Sequence, residues 1–243
     1  MLAESNPKGL TYHPDTYLEP DSVGKPIPSY KPTFPFTGYV NDHHRFLSEA
    51  RNPATGLLLL TAPGLLEHGV GAPINGWLRV EDALKLYELA YYSEGSILEL
   101  GSYEGLSTCI LAQAITDSGR PGSISTVDIT YRQAVADNAA ACGLASRIDI
   151  ITADAVAAVR SLSARRFSFI FVDHSHAYKD VKAVCPLLRN IASPGAFVLF
   201  HDYYDARNGK DGDYGVFQAV TENLPNQFQF CGVYGCTGLY RAD

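Results

Sequence analysis

From residue 96 to its end, the chain alternates short apolar runs with longer stretches in which apolar residues recur at helical spacing. The short runs are typical of buried strands, and the longer stretches are typical of helices that pack on a sheet. The runs predict strands near 96–100, 123–128, 147–151, 167–173, 196–201, 227–232 and 237–241. The longer stretches predict helices near 105–117, 131–142, 154–163, 178–190 and 214–223. This alternation indicates an α/β protein with a doubly wound, mostly parallel seven-stranded sheet that carries helices on both faces.

Two further patterns lie outside this alternation. The last two predicted strands have only a short connection, from Cys231 to Thr237, which is typical of an antiparallel hairpin at the edge of a sheet. Before the first strand, residues 76–90 carry an apolar stripe that predicts another helix, and a short helix is predicted over 41–51.

The N-terminal part of the chain has a different composition. Residues 1–38 hold seven of the fourteen prolines, with tyrosines and phenylalanines between them. Prolines at this density exclude long helices and central strands, while disordered segments are poor in aromatic residues. We therefore expect an arm that packs on the core or on a neighbouring subunit. The predicted division is an N-terminal arm, acting as a lid or oligomerisation segment, over 1–75 and a core domain over 76–243.

Composition and charge narrow the functional classes. The 243 residues are 46% hydrophobic and 19% charged, which is ordinary for a globular protein with a sizeable core. A net charge of −7 argues against a nucleic-acid partner. No signal peptide or membrane-length apolar segment is recognised, so we expect a cytoplasmic protein without a membrane partner. Neither Cys231 nor Cys236 has the spacing or a nearby histidine typical of zinc ligands, so no zinc site is predicted.

The first predicted strand of the sheet ends in a glycine turn. The sequence from Ser96 to Thr108 places Glu99 two residues before Gly101 and a second glycine at Gly105. Glycines in such a turn let the backbone approach a ligand closely, and the N-terminus of the next helix favours an electron-rich group. The G-x-G-x-x-G pattern of nicotinamide dinucleotide binders is missing here, which counts against an oxidoreductase.

Acidic residues close the next two predicted strands. In an open α/β sheet a ligand lies beyond the carboxyl ends of the strands. The second strand ends in Asp128, whose carboxylate can accept hydrogen bonds from both hydroxyls of a ribose. The third leads to Asp154, which can accept from an adenine amino group or cap the next helix. The sequence leaves these two roles of Asp154 open.

The fourth and fifth strand ends carry the most unusual chemistry. Asp173, His174 and His176 follow one apolar run, and His201 and Asp202 follow the next. Adjacent strands would bring Asp173 and Asp202 into one crevice, where two carboxylates repel each other unless a cation or a proton lies between them. Oxygen donors with open water positions suit Mg²⁺ or Mn²⁺. The sequence therefore predicts a divalent metal site at these two strand ends.

These motifs together resemble a known family. The run V-D-H-S-H-A-Y over 172–178 and the run S-P-G-A-F-V-L-F-H-D-Y over 193–203 are similar to those of class I S-adenosylmethionine (SAM) methyltransferases, in particular the metal-dependent macrolide-sugar and small-molecule O-methyltransferases. The resemblance covers about 76–241 and leaves out the arm. It implies the class I methyltransferase fold, SAM as cofactor and a divalent cation, with Mg²⁺ as the first expectation.

The resemblance also implies roles for individual residues. The implied cofactor residues are Glu99 and Gly101 at the methionine end, Asp128 at the ribose, Asp154 on the adenine side, and Ser102, Tyr103, Gly105, Ala155 and Asp173 around them. The implied metal ligands are Asp173, His201 and Asp202. An imidazole nitrogen at His201 would shift the metal preference from Mg²⁺ toward Mn²⁺, Fe²⁺ or Co²⁺. His176 is implied as the general base, with Asp173 as its catalytic neighbour.

The implied activity is O-methylation of a small-molecule hydroxyl, on a sugar or glycosylated metabolite ahead of a catechol-like phenol. Two other functions stay open: a nicotinamide-dependent oxidoreductase, and a catalytically silent SAM-binding protein. The intact set of Asp173, His176 and Asp202 argues against the silent protein. We expect a small hydroxylated molecule as partner, and a homodimer or a higher homo-oligomer.

Overall fold

The computed structural model describes residues 48–51, 58–61, 74, 76–78, 80–210 and 212–243. Most of the predicted arm lies outside the described residues. Two described parts of the arm, β1 (Ser48–Arg51) and β2 (Leu58–Thr61), form an antiparallel pair. The helix predicted over 41–51 is therefore wrong at 48–51, because pairing with the leucine-rich β2 gives this backbone its hydrogen-bond partners in a strand.

The strands and helices of the core domain follow in the predicted order. The further strands are β3 (Ile97–Leu100), β4 (Ile124–Asp128), β5 (Ile148–Thr152), β6 (Phe167–Val172), β7 (Ala192–Phe200), β8 (Phe228–Tyr234) and β9 (Thr237–Ala242). The helices are α1 (Val80–Tyr92), α2 (Leu106–Ser118), α3 (Gln133–Ala141), α4 (Ala155–Ser161), α5 (Tyr178–Val184) and α6 (Val216–Asn223). Short 3-10 helices occupy Ala145–Arg147 and Cys185–Asn190. The second replaces the end of the helix predicted over 178–190, where Pro186 has no N–H to donate.

The seven core strands form one sheet in the order β5-β4-β3-β6-β7-β9-β8. Strands β5, β4, β3, β6 and β7 run parallel to one another, and β9 is antiparallel to both β7 and β8. The predicted mostly parallel sheet with an antiparallel hairpin at one edge is confirmed. The strand order reverses between β3 and β6, and this switch point is where open α/β sheets bind their ligands.

Helices cover both faces of the sheet. One apolar cluster joins α1 and α2 to side chains such as Ile97 of β3. The other joins α4, α5 and α6 to the alternate side chains Leu98 and Leu100 of the same strand. This alternation confirms the doubly wound α/β architecture, since successive strand residues enter opposite cores. None of the described helices is long and apolar enough to cross a membrane.

Helix α1 buries charge as well as apolar surface. Asp82, Lys85 and Glu88 recur every three residues and are almost completely buried. Lys85 Nζ donates to Glu88 over 2.8 Å, and it lies 3.8 Å from the ring centre of Tyr234 in β8. Asp82 accepts a hydrogen bond from the backbone N–H of Cys236 over 2.8 Å. This charged row therefore packs against the β8–β9 hairpin, because buried charges need partners.

Backbone hydrogen bonds align the carboxyl ends of four strands in one row. Gly101 N–H donates to Val127 over 2.7 Å, and Asp173 N–H donates to Leu100 over 2.7 Å. His201 N–H donates to the carbonyl of Val172 over 3.0 Å. The residues that follow β3, β6 and β7 therefore lie side by side at the switch point.

Gly101 is the closest backbone approach in this row. Its φ of 99° lies in the left-handed region, and a Cβ there would collide with the backbone carbonyl of Asp173. Gly119, which ends α2 with a φ of 66°, is also left-handed, but a Cβ there would meet nothing within 4 Å. Only glycine therefore satisfies both the conformation and the space at 101.

We expect Gly101→Ala to lower the free energy of unfolding by about 3–5 kcal/mol, because it adds a backbone collision to the left-handed strain. Gly119→Ala is the matched control and should cost only about 1–2 kcal/mol, since it carries the strain alone. Urea unfolding followed by circular dichroism measures both. Equal losses in the two variants would contradict the close approach at Gly101.

Candidate active site

The glycine turn after β3 is tied to the end of β4 by one carboxylate. Asp128 Oδ2 accepts from the backbone N–H groups of Ser102 and Tyr103 over 3.3 and 3.1 Å, and its Oδ1 accepts from Thr130 N over 3.0 Å. A carboxylate has about four acceptor positions, so about one remains for a ligand hydroxyl while these donors stay bound. The predicted contact of Asp128 with both ribose hydroxyls would thus require the turn to release a donor.

The turn itself holds two unusual backbone conformations. Gly105 adopts a φ of 91° just before α2, and Tyr103 adopts a φ of 45° although it has a side chain. The Tyr103 ring is partly exposed and lies 5.0 Å from the guanidinium carbon of Arg132, while Ser102 is buried. The predicted cofactor residues of this turn therefore form one short stretch of backbone beside the switch point, with Tyr103 as its exposed residue.

Glu99 lies below the turn and is fully buried. Its carboxylate accepts hydrogen bonds from the hydroxyls of Ser107, Thr108 and Thr126, the last over 2.6 Å. Burial raises its pKa to about 7, although the three hydroxyls act in the opposite direction. Glu99 thus connects β3, β4 and α2, and its direct contact with the methionine end of SAM stays a prediction.

Asp154 performs one of the two roles that the sequence left open. It is the residue before α4, and its Oδ1 accepts from the backbone N–H of Ala157 over 3.0 Å. The capping role is confirmed. Ala155 begins the helix and is buried. The adenine-side role of Asp154 and Ala155 stays a prediction.

The acidic and histidine residues after β6 and β7 converge as predicted. His176 Nε2 lies 3.0 Å from Asp202 Oδ2 and 3.5 Å from Asp173 Oδ1. His201 Nδ1 lies 3.1 Å from the same oxygen of Asp173 and 3.7 Å from Asp202 Oδ2. Asp173, His176 and His201 offer donor atoms within 4.8 Å of one another, a separation at which they could hold one metal ion. His174 is not part of this group, and burial lowers its pKa.

The two histidines and the two acids of this group carry opposite charges. Hydrogen bonding to Asp173 and Asp202 raises the pKa of His176 to about 9. Burial is the largest influence on His201 and opposes its protonation, but the interactions with Asp173, Cys236 and Asp82 together outweigh it and raise the pKa of His201 as well. The same interactions outweigh burial in the acids and hold the pKa values of Asp173 and Asp202 below their usual range. In the free protein, therefore, carboxylates face imidazolium rings.

A turn that begins at Asp202 supports the group from beside β7. Asp202 has a φ of 52°, which is uncommon for a residue other than glycine. Asn208 Nδ2 donates to the carbonyls of Asp202 and Tyr203 over 2.9 and 3.3 Å, and Asn208 Oδ1 accepts from Phe217 N over 2.8 Å. Arg207 Nη2 lies 3.5 Å from Asp202 Oδ2. These contacts hold the Asp202 carboxylate at the crevice.

The sequence interpretation missed two members of this neighbourhood. Cys236 Sγ lies 3.5 Å from His201 Nε2 and donates to Asp82 Oδ2 over 3.3 Å. Cys236 was expected to have no nearby histidine. This expectation is wrong for the folded chain, because the pairing of β9 with β7 brings Cys236 beside His201. The sequence held one local signal of this cluster, the acidic residue Asp82 on the buried face of a predicted helix.

The sequence comparison identifies the domain that carries this site. Residues 98–203 match a family model described as a methyltransferase domain, and this segment includes the glycine turn and the ends of β3 to β7. The match spans less than half of the chain. No curated protein sequence matches the chain.

Solved structures share the fold. An O-methyltransferase from Bacillus cereus, solved in complex with SAH, is 15% identical with a TM-score of 0.60, and the similarity covers 75% of this chain and 92% of that one. The O-methyltransferase TomG from Streptomyces achromogenes, solved with SAM, is 18% identical with a TM-score of 0.59, covering 78% and 93%. At these identities the likeness establishes the fold. With the family match, it confirms the class I methyltransferase resemblance.

The buried carboxyl of Glu99 predicts a specific pH dependence of stability. Its pKa of about 7 in the folded protein exceeds the ordinary 4.5, so the folded state binds more protons than the unfolded state between these pH values. Its contribution to stability should fall by about 3 kcal/mol as pH rises from 4.5 to 7, and stay constant above that. Glu99→Gln should remove this contribution.

Urea unfolding of the cofactor-free protein at several pH values between 4.5 and 8 measures the effect as a difference between variant and wild type. Glu94→Gln, at an exposed position before β3, is the control and should leave the slope unchanged. If Glu99→Gln and the wild type keep parallel stability curves over this range, the carboxyl does not titrate as its burial requires.

Proposed function

We propose that this protein is a SAM-dependent O-methyltransferase whose acceptor hydroxyl binds beside Asp173, His176 and Asp202, since residues 98–203 match a model of a methyltransferase domain. One observation carries the assignment. At the ligand-binding edge of the sheet, His176 Nε2 lies 3.0 and 3.5 Å from the carboxylates of Asp202 and Asp173. A histidine fixed at this edge is a group that can take the proton of a bound hydroxyl once it is neutral.

The glycine turn is the proposed cofactor site. Bound SAM would supply an activated methyl group on a sulfonium. The chain contributes the exposed backbone around Tyr103, the carboxylate of Asp128 and the close approach at Gly101. Because the turn joins β3 directly to the row that contains Asp173, cofactor and acceptor would lie side by side, which favours transfer through orientation.

A divalent cation fits the same edge. Asp173 and Asp202 place carboxylate oxygens around His176, and His201 Nδ1 lies 3.1 and 3.7 Å from oxygens of the two acids. Two carboxylates, one partly exposed at Asp173 and one buried at Asp202, are a donor set that Mg²⁺ or Mn²⁺ accepts. A cation held there would lower the pKa of an acceptor hydroxyl. Asp173 and Asp202 are the proposed ligands, and His201 Nδ1 is the nitrogen available as a third.

His176 must be neutral to accept a proton, although its pKa is about 9 in the free protein. That pKa is raised by Asp173 and Asp202, so binding of a cation to these two carboxylates would lower it toward its ordinary value. The side chain is 40% exposed and stacks on Tyr214, with ring centres 5.1 Å apart. His176 is thus held in place with its ring partly exposed and its Nε2 buried against the two acids.

The acceptor class follows from the resemblance of the motifs around Asp173 and Asp202. We propose a hydroxyl of a small molecule, on a sugar or glycosylated metabolite ahead of a catechol-like phenol. TomG is involved in tomaymycin synthesis, which supports a small-molecule acceptor for a domain of this fold. A cytoplasmic location and a homo-oligomeric assembly belong to the same proposal.

We expect Asp128→Asn to weaken SAM binding about tenfold or more, because it removes the charge from the carboxylate that orders the turn. Asp137→Asn in α3 is the control, since it makes the same chemical change at an exposed residue. Isothermal titration calorimetry with SAM and with NAD⁺ measures both affinities. Binding of NAD⁺ without binding of SAM would overturn the cofactor assignment and favour an oxidoreductase.

We expect His176→Gln to lower turnover by about 10² to 10⁴, the usual effect of losing a general base, while SAM affinity is unchanged. Turnover is measured as SAH formed from SAM with a panel of sugars, glycosides and catechol-like phenols. Chelation of divalent cations should abolish wild-type turnover, and Mg²⁺ or Mn²⁺ should restore it.

His174→Gln is the control for this variant, because it changes a neighbouring histidine that lies outside the donor group. Turnover of His176→Gln above about a tenth of wild type would exclude His176 as the base. Turnover that survives exhaustive chelation would exclude the cation. SAM binding without turnover on any acceptor would instead favour a catalytically silent SAM-binding protein.

A further inference from the structure

Three donor atoms of different chemistry meet in the interior behind the crevice. They are Oδ2 of Asp82, Nε2 of His201 and Sγ of Cys236, and the three residues are at most 5% exposed. They come from helix α1, the end of β7 and the turn before β9, which lie far apart in the sequence. Contacts between residues that are close in sequence therefore do not explain why these three atoms lie together.

The separations of these atoms match the edges of a small coordination tetrahedron. Sγ lies 3.3 Å from Asp82 Oδ2 and 3.5 Å from His201 Nε2, and the oxygen lies 3.8 Å from the nitrogen. Tetrahedral zinc with its usual bond lengths to sulfur, nitrogen and oxygen separates such ligands by roughly 3.4–3.6 Å. Shifts of a few tenths of an ångström would bring all three atoms to one ion.

We propose that Asp82, His201 and Cys236 form a buried structural zinc site, whose three ligands differ from the two carboxylates proposed for the crevice cation. A thiolate, an imidazole and a carboxylate are all ordinary zinc ligands, and a thiolate disfavours Mg²⁺. The thiol proton of Cys236 and the Nε2 proton of the His201 imidazolium are both released to solvent when the ion binds. The inference rests on these three side chains and does not depend on methyl transfer.

The surroundings prepare each ligand for this role. Asp82 Oδ1 accepts from Cys236 N over 2.8 Å, which orients the other oxygen toward the sulfur. His201 Nδ1 lies 3.1 Å from Asp173, and a carboxylate that accepts from the second nitrogen is the usual support of a zinc-bound histidine. Asp202 Oδ1, 3.5 Å from Sγ, offers a fourth donor.

The proposal changes the role of His201. If Nε2 binds the inner ion, Nδ1 carries the proton and donates to Asp173, so a neutral His201 has no lone pair left for the crevice cation. Asp173 and Asp202 would then hold that cation without it. Because the inner ligands are buried, zinc should enter during folding and resist chelators that remove a cation from the crevice.

The test is zinc content after expression and purification with zinc present and exhaustive dialysis against a chelator. Plasma mass spectrometry should find about one zinc per wild-type chain, as expected of a single structural site. Cys236→Ala should lose it. Cys231→Ala is the matched control, because Cys231 lies on the same hairpin and its sulfur donates to the Gln229 carbonyl, away from the three proposed ligands.

Cobalt gives a second readout. The Co²⁺-substituted wild type and Cys231→Ala should show thiolate-to-cobalt charge-transfer absorption, and Cys236→Ala should not. His176→Gln should keep both zinc and this absorption, which separates the inner site from the crevice. Should Cys236→Ala not fold, Asp82→Asn keeps an oxygen acceptor for Cys236 N and should still lower the zinc content.

Zinc below about a tenth of an ion per wild-type chain would overturn the proposal. Equal zinc in Cys236→Ala and Cys231→Ala would do the same, as would cobalt bound without a thiolate band. Loss of methyl transfer with retained zinc would count against the proposed function and leave the inner site standing.

Discussion

Three carboxylates converge on one buried imidazole, and the rest of the site depends on how their charge is balanced. His201 faces Asp173 through Nδ1 and Asp82 through Nε2, and Asp202 follows it in the chain. Burial of such groups is costly unless each is paired. The pairing joins helix α1, strands β6 and β7, and the hairpin in one cluster. The fold therefore cannot change at any of these elements without disturbing charges at the crevice.

The glycine turn solves a related problem of space. Strand β3 can lie beside β6 at its carboxyl end only because Gly101 lacks a Cβ facing the Asp173 carbonyl. In the same turn the backbone N–H of Tyr103 donates to Asp128. The hydroxyls that donate to Glu99 hold the next helix against the strand. The two acids at this turn have different roles, because Glu99 is buried below it and Asp128 is partly exposed beside it. Glu99 fixes the turn to the core, and Asp128 holds the backbone of the turn with about one acceptor position left over.

The sequence predicts most of the fold because parallel strands and their helices have distinct apolar periods. It also predicts that Asp173, His176, His201 and Asp202 meet, since the carboxyl ends of neighbouring parallel strands share one edge. It could not place Cys236 beside them, because that contact arises from a long-range strand pairing. The pKa of His176 likewise depends on distances to two acids that no local pattern contains.

Asp202 links the two halves of this chemistry. Its Oδ2 faces His176 at the crevice, and its Oδ1 faces the sulfur of Cys236 in the interior. A positive φ at a residue other than glycine costs roughly 1–2 kcal/mol, and here Asn208 stabilises that conformation through the carbonyl of Asp202. Because the two oxygens of the Asp202 carboxylate face opposite sides, its negative charge acts on both the interior and the crevice. An ion bound on either side would therefore change the electrostatic field that the other side experiences.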